Sequence, residues 1–293
     1  MAKSMTLKQF QALFPDDDAC LEHLFKVRYG SEPVCPKCGQ INTFHRLKKM
    51  PAFTCNCGHH IHPMAGTPFQ STRTPLTTWF HVMFLFTSSR NGVSAKEVQR
   101  QTGVTYKTAW RICNEIRKYM GWVDGDRPLG GSGPNDPVVE ADKMFVGGKD
   151  KMGEDDKSIV LGIMERGGEV ITRVIGNRTS HAVTTRIVDW VKPGSRVHTD
   201  EARAFNYLAR EGFNHATVNH AKDEYVRGDV HTNSIEGFWA NVKRSIAGTH
   251  VWVSKKHLQT YLGEFEYRHN LRKSPELMMA ALLRAFPKAS VRL

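Results

Sequence analysis

The chain has 293 residues, 40% of them hydrophobic, and 41 Lys and Arg against 29 Asp and Glu give a formal charge of +12. That length predicts two or three folding units, and the apolar content excludes a globally disordered chain. Such a positive excess favours a polyanionic partner, either nucleic acid or an acidic membrane surface.

The first residues, MAKSMTLKQF, lack the apolar core of a secretory signal, and no stretch approaches the ~20 apolar residues of a membrane span. The most apolar run, Trp79 to Phe86, is short and contains His81. A soluble cytoplasmic protein with no membrane partner is the expectation. In a reducing compartment the six cysteines carry information. Cys35, Cys38, Cys55 and Cys57 crowd into one window and read as a metal site, whereas Cys20 and Cys113 fit helical patterns as small buried residues.

In chain order, Leu7 to Tyr29 shows helical spacing of Phe10, Leu13, Phe14, Leu21, Leu24 and Phe25, interrupted at Pro15. The acidic run Asp16 to Asp18 suits the start of a second helix, where carboxylates meet unpaired amides. The cysteine window follows, from Ser31 to about Gln70. Cys35-Pro36-Lys37-Cys38-Gly39 is a knuckle whose glycine permits the turn that aims two thiolates at one ion. Sixteen residues later Cys55-Asn56-Cys57 supplies a second pair, one residue shorter than usual, with His59, His60 and His62 as possible substitutes. A structural zinc ribbon is expected, because so short a segment buries too little apolar area to fold without the ion. A redox pair is disfavoured, since no thioredoxin-like βαβ pattern surrounds it.

From Pro75 to Met120 the pattern is helical. Ser94 with Glu97 predicts a capping box that starts a helix reaching Gln101, Thr102-Gly103-Val104 is a turn, and Thr105 caps a second helix. Two helices joined this way form a helix-turn-helix, with Lys107, Arg111, Arg117 and Lys118 placed for phosphates and base edges. The bland alternative is a helical hairpin with a solvated basic face; the adjoining metal module and the basic total favour DNA. Asp124 to Asp136, dense in Gly, Pro and Asp, reads as a linker.

Beyond it the pattern turns strand-like: Val138 to Val146, then Ser158 to Met164 and Glu169 to Ile175 around a Gly167-Gly168 turn. Ser180 to Val191 reads as a helix, Arg196 to Thr199 as a strand, Glu201 to Glu211 as a helix and His215 to Val218 as a strand. Asn233 to Ile246, Lys255 to Asn270 and Pro275 to Phe286 are the remaining helices. This order predicts an α/β fold, an RNase H-like mixed sheet flanked by helices. The expected organisation is helices over 1–30, a zinc ribbon over 31–70, a helix-turn-helix region over 71–123, a linker over 124–136 and a catalytic domain over 137–293.

Carboxylate position carries the chemistry. Asp142 lies in mid-strand between apolar residues, where an acid needs a compensating metal or cation. Glu140 shares its strand face and is its nearest rival. Asp200 ends a later strand, where ligands gather in open α/β sheets. Glu236 lies near the start of its helix, and Lys243 is seven residues on, along the same helix face. Three carboxylates from separate elements can hold two Mg2+ ions (or Mn2+) for in-line displacement at phosphorus, with Lys243 beside a backbone phosphate. Phe238 fits a core position, and Trp239 is open to core packing or to stacking on a base.

The words VEADKMFVGGK, HTDEARAF, HTNSIEGFWANVKRSIAGTH and KKHLQTYLGEFEYRHN resemble the ISXO-type transposase domain of zinc-ribbon insertion sequences, in the DDE recombinase superfamily. CPKCG, GTPF at Gly66, PLTTWF and the Ser94 to Met120 helix pair resemble the N-terminal part of the same family, so the likeness spans nearly the whole chain. It implies that Asp142 and Asp200 are the first two catalytic acids; the third position varies in the family, and there a carboxylate is the better ligand for a hard cation, which favours Glu236 over Asn233, a helix cap or weaker ligand. It further implies binding to terminal inverted repeats, cleavage, and strand transfer by a homodimer or larger synaptic assembly at the bacterial nucleoid, with Lys243 and Arg244 near DNA. Two other readings remain at this point: a DNA-binding regulator with an inert α/β domain, and an RNase H-like nuclease that cuts without joining.

Overall fold

The computed structural model describes residues 5–147, 157–177, 179–222 and 224–287; Gly148 and Lys149, which end the word VEADKMFVGGK, lie outside them. The chain divides into two compact units, 1–123 with 273–293, and 124–272.

In the first unit, α1 (Leu7–Leu13) is capped by Thr6, and α2 (Asp17–Tyr29) by Asp16, whose Oδ1 accepts the Ala19 amide at 2.8 Å. The acidic run therefore starts α2 as its chemistry predicts. Three short antiparallel strands follow, β1 (Phe44–Leu47), β2 (Ala52–Cys55) and β3 (His60–Ile61). Phe25 of α2 stacks on Phe53 of β2, centroids 4.1 Å apart, which gives this small sheet an apolar floor. Next come α3 (Leu76–Ser88), α4 (Ala95–Thr102) and α5 (Tyr106–Asp124). Ser94 Oγ accepts the Glu97 amide, but the Glu97 carboxylate turns to Arg100 and Gln101, so only half of the expected capping box forms. Gly103, at φ 71°, ends α4 in the left-handed conformation that glycine adopts without penalty. Thr105 Oγ1 accepts the Thr108 amide and opens α5.

The last helix, α9 (Glu276–Ala285), belongs to this unit and not to the C-terminal domain expected over 137–293. The reason is aromatic: Phe286 stacks on Tyr119 at 4.3 Å and also meets Phe69 and Trp79.

The second unit holds a five-stranded sheet of β4 (Val139–Val146), β5 (Ser158–Glu165), β6 (Val170–Ile175), β7 (Arg196–Thr199) and β8 (Asn214–Thr217). Their order is β6-β5-β4-β7-β8. The first three strands pair antiparallel, while β4–β7 and β7–β8 are parallel. With α6 (Ser180–Trp190), α7 (Asn233–Ser245) and α8 (Lys255–Asn270) flanking it, this is the RNase H-like arrangement.

Period-two alternation sends Val139, Ala141, Leu161 and Ile163 to a core with Val183 and Ile187 of α6. Met144, Val160 and Met164 face the opposite core, with Ile235, Phe238, Trp239 and Val242 of α7 and Leu258 and Leu262 of α8. Two expectations change. The stretch Glu201–Glu211 forms only a 3-10 turn at Arg203–Phe205 and further turns, because Ala202 is extended (ψ 131°) and Glu201 bonds the amides of His220 and Ala221. The segment 124–136, expected as a linker, is laid into the sheet unit from Leu129 onward. Leu129 is fully buried, bridges Val191 in parallel and bonds Trp190 O at 2.7 Å.

Candidate functional site

The cysteine window closes on one point. Cys35, Cys38, Cys55 and Cys57 place their sulfurs within 4.8 Å of one another. The Cys35–Cys57 and Cys38–Cys55 pairs are both 3.6 Å apart. Tetrahedral zinc–thiolate bonds of about 2.3 Å separate sulfurs by about 3.8 Å, so the set fits a structural zinc ion. The shortened second pair still turns tightly. Gly58, at φ 80°, donates to Cys55 O at 2.8 Å. The Cys57 amide and the Thr43 hydroxyl donate to Cys55 Sγ and pull its thiol down to about 6, whereas Cys38, against its bond to the Gln40 backbone, is pushed up to about 12 by burial and by its bonds to the other three thiols. His59, His60 and His62 are not in the cluster.

The acids are placed differently. Ala141 of β4 pairs with Thr199 of β7, so Asp142 and Asp200 leave neighbouring parallel strands side by side. The Lys143 amide donates to Asp142 Oδ1 at 2.7 Å and the Ala202 amide to Asp200 Oδ1 at 3.1 Å. Burial pushes the Asp142 carboxyl up to about 6, against the Lys143 amide, and the charges of Asp200 and Glu236 push the same way. Burial raises Asp200 as well. Glu236, in the first turn of α7, thus acts on Asp142. Its Oε1 accepts from the Thr232 hydroxyl at 2.6 Å and lies 3.6 Å from His220 Nε2. Among the described residues the three acids do not close to the spacing the cysteines reach. Such an open set of hard oxygen donors suits divalent cations that keep part of their own water or take substrate oxygens.

A glycine brings Glu236 near. Gly162 of β5 pairs with Asp142. A Cβ there would collide with the Trp239 ring and come within 2.9 Å of Ile235 Cδ1, so α7 lies against β5 through the missing side chain.

Glu140 proves to hold the same helix rather than rival Asp142. It is fully buried. Its carboxylate accepts the amides of Ser234 at 2.8 Å and Ile235 at 3.1 Å, the Ser234 hydroxyl at 3.0 Å and Arg166 Nε at 2.8 Å. A carboxylate from the sheet therefore satisfies the open amides and positive end of α7. Asn233, expected as a possible cap, is instead the first helical residue, exposed, with its amide 3.4 Å from His231 Nδ1. Arg166 extends the brace to Asp229 O at 3.0 Å, His231 O at 3.2 Å and His198 Nδ1 at 3.2 Å. Burial, then the Arg166 charge, lowers His198 to about 4, leaving a neutral ring nitrogen free to accept.

Residues 15–60 match the transposase zinc-ribbon domain and residues 128–270 the ISXO2-like transposase domain. An uncharacterized transposase-like protein of Haemophilus influenzae is 32% identical over 102 residues, 35% of this chain and 81% of that protein. The chain belongs to the ISXO2-like transposase family. An uncharacterized protein in transposable element ISH50 of Halobacterium salinarum is 26% identical over 276 residues, 86% of this chain and 90% of that one. The catalytic core domain of BIV integrase is similar at 17% identity and TM-score 0.26, over 52% of this chain and 82% of that one.

In this transposase-family chain the basic residues of α5 divide. Lys107 and Arg111 are exposed, with the Arg111 guanidinium 5.3 Å from the Trp79 ring centroid. Lys118 pairs with Glu115 at 2.9 Å. Arg117, expected to face DNA, is instead 2% exposed, donates to Val93 O at 2.9 Å and lies over the Phe86 ring. Helical spacing puts it on the buried face with Cys113 and Met120, so it clamps α5 to the loop that precedes α4. Lys243 and Arg244 are exposed in the last turn of α7, where Arg244 bonds the Asn241 side chain. Trp239 and Phe238 both lie in the α7 core, which removes Trp239 as a stacking platform.

Proposed function

We propose that the chain binds the terminal inverted repeats of its own insertion sequence, hydrolyses phosphodiester bonds there and joins the freed 3′-hydroxyl to target DNA. The observation that carries this reading is the placement of Asp142 on β4 beside Asp200 at the end of the adjacent parallel β7, with the charge of Glu236 reaching Asp142 from α7. In this reading the three acids hold two Mg2+ or Mn2+ ions, the donor set such cations take. Bound there, the ions would supply activation of the attacking water or 3′-hydroxyl and neutralise charge on the leaving oxygen.

The remaining work falls to the chain itself. Backbone amides of Lys143 and Ala202 orient Asp142 and Asp200. The Glu140–Arg166 brace holds the start of α7, and Gly162 lets that helix approach the sheet. Lys243, two turns along α7 from Glu236, offers positive charge to a backbone phosphate. The zinc ribbon and the α4–α5 pair contact the repeats, chiefly through Lys107 and Arg111, with Lys118 secondary. Both ends must be cut together, so the working form is a homodimer or larger synaptic assembly in the bacterial cytoplasm.

Strand transfer on pre-cleaved ends of the element in Mg2+ tests this reading. Asp142→Asn and Asp200→Asn should each lower the rate about a thousandfold or more, equivalent to about 4 kcal/mol of barrier. Glu236→Gln should fall with them, while Asn233→Ala stays within a few-fold of wild type. Full activity in Glu236→Gln with loss in Asn233→Ala would give the third position to Asn233. Repeat binding without cleavage or joining in the wild type would leave a regulator.

A further inference from the structure

The end of α7 is unusual. The helix passes at Ile246–His250 into a π-turn, and the chain then reverses at Val251, with φ 64° and ψ −48°. The Trp252 amide bonds His250 O at 2.7 Å across this residue, which makes a γ-turn of the rare positive-φ kind. A β-branched side chain is among the poorest choices there, because its Cβ crowds the backbone. Val251 and Trp252 are 79% and 72% exposed, more than any other large hydrophobic among the described residues.

The base of this tip is fixed. The His250 ring packs edge-on against Tyr261 at 4.9 Å, and Val253 is buried in the α7 core. In the chain the tip is flanked by exposed Lys243 and Arg244 on one side and exposed Lys255 and Lys256 on the other. The latter pair opens α8, where the helix dipole disfavours cations. Backbone strain and two exposed apolar side chains both work against folding, and both lie within one short stretch. Strain kept in this way points to a function performed by the residues that carry it.

We propose that Val251 and Trp252 form a wedge that enters a base step of the element's end. The indole stacks on the exposed base while the neighbouring lysines and arginine meet phosphates. The positive flanks select DNA as the occupant. With the duplex laid along α7, a span of roughly 20 Å from Glu236 puts the wedge about six base pairs from the reacting phosphate at 3.4 Å per pair. The wedge rests on the transposase reading for its DNA, but its test requires no catalysis.

The experiment binds full-length, zinc-loaded protein to duplexes of the element's end without Mg2+, each carrying 2-aminopurine at one of the terminal positions. Wild type should brighten one or two positions near the sixth base pair as they unstack. Trp252→Ala should leave them at the level of free duplex and weaken binding about 10-fold, whereas Trp252→Phe keeps most of the response. Val251→Gly relieves the turn, so it should melt no lower than wild type yet bind the end more weakly. A Trp252→Ala protein that unstacks the same positions, or a wild type that unstacks none, overturns the wedge even where strand transfer is intact. Dissociation of an oligomer by Trp252→Ala, with base unstacking unchanged, would overturn it in favour of contact between copies. Loss of strand transfer in the wild type, with unstacking intact, would strike the transposase reading and leave the wedge standing.

Discussion

The four cysteines and the three acids follow opposite plans. The thiolates come from one short window, with Cys35 and Cys57 only 22 positions apart, and close to within 4.8 Å. The acids come from positions 142, 200 and 236, on two strands and a helix, and remain open. A structural site is local: its ligands make their own fold around the ion. The acidic site borrows its geometry from a core that exists for other reasons, so its precision depends on residues that touch no phosphate and no metal.

The largest effect is expected at the cysteines. Cys38→Ala should release zinc and disorder the ribbon, since structural zinc contributes on the order of 10 kcal/mol. Zinc content and amide dispersion over β1–β3 report it. By contrast Asp200→Asn should leave the melting temperature unchanged or slightly higher at neutral pH, because burial disfavours the charged carboxylate there. A ribbon that persists without Cys38 would dissolve the distinction.

A smaller effect belongs to the brace. Glu140→Ala strips partners from Arg166 and from the amides of Ser234 and Ile235, which should cost about 3–5 kcal/mol in urea unfolding. Glu140→Gln retains the shape and should lose less stability while still slowing strand transfer. A loss under about 1 kcal/mol in Glu140→Ala would mean that the buried carboxylate does not hold α7.

The smallest change is Gly162→Ala. One methyl group pressed against Trp239 should cost about 1–3 kcal/mol, and strand transfer should fall further than that stability loss explains, since Glu236 moves away from Asp142. Adding Trp239→Phe should recover part of both. An unchanged rate in Gly162→Ala would show that the helix position is not set by this contact.

Much of this was legible in the sequence because the signals were local. The ligand spacing at Cys35 and Cys38, the Asp16 cap, the strand Arg196–Thr199 and the helix Lys255–Asn270 each follow from adjacent residues. The acids at 142 and 200 stood out because they interrupt or end apolar strands. What stayed hidden was non-local. Nothing beside Glu140 says that residues 234 and 235 will supply its partners. Arg117 looks like its basic neighbours until its helix face is set against Phe86 and Val93. Phe286 ends a helix that sequence order assigns to the sheet unit, yet its aromatic partners are Phe69, Trp79 and Tyr119. Gly162 also passed unread, although a glycine inside an apolar strand can mark a close backbone approach.

The most direct test of the acidic site is to count Mn2+ ions bound to the zinc-loaded protein on a pre-cleaved element end, by titration with paramagnetic detection. Two ions per active site in the wild type, with binding lost in Asp142→Asn and in Asp200→Asn and weakened in Glu236→Gln, is the predicted result. Equal Mn2+ binding in all four proteins would contradict the assignment of these acids as the metal-holding centre.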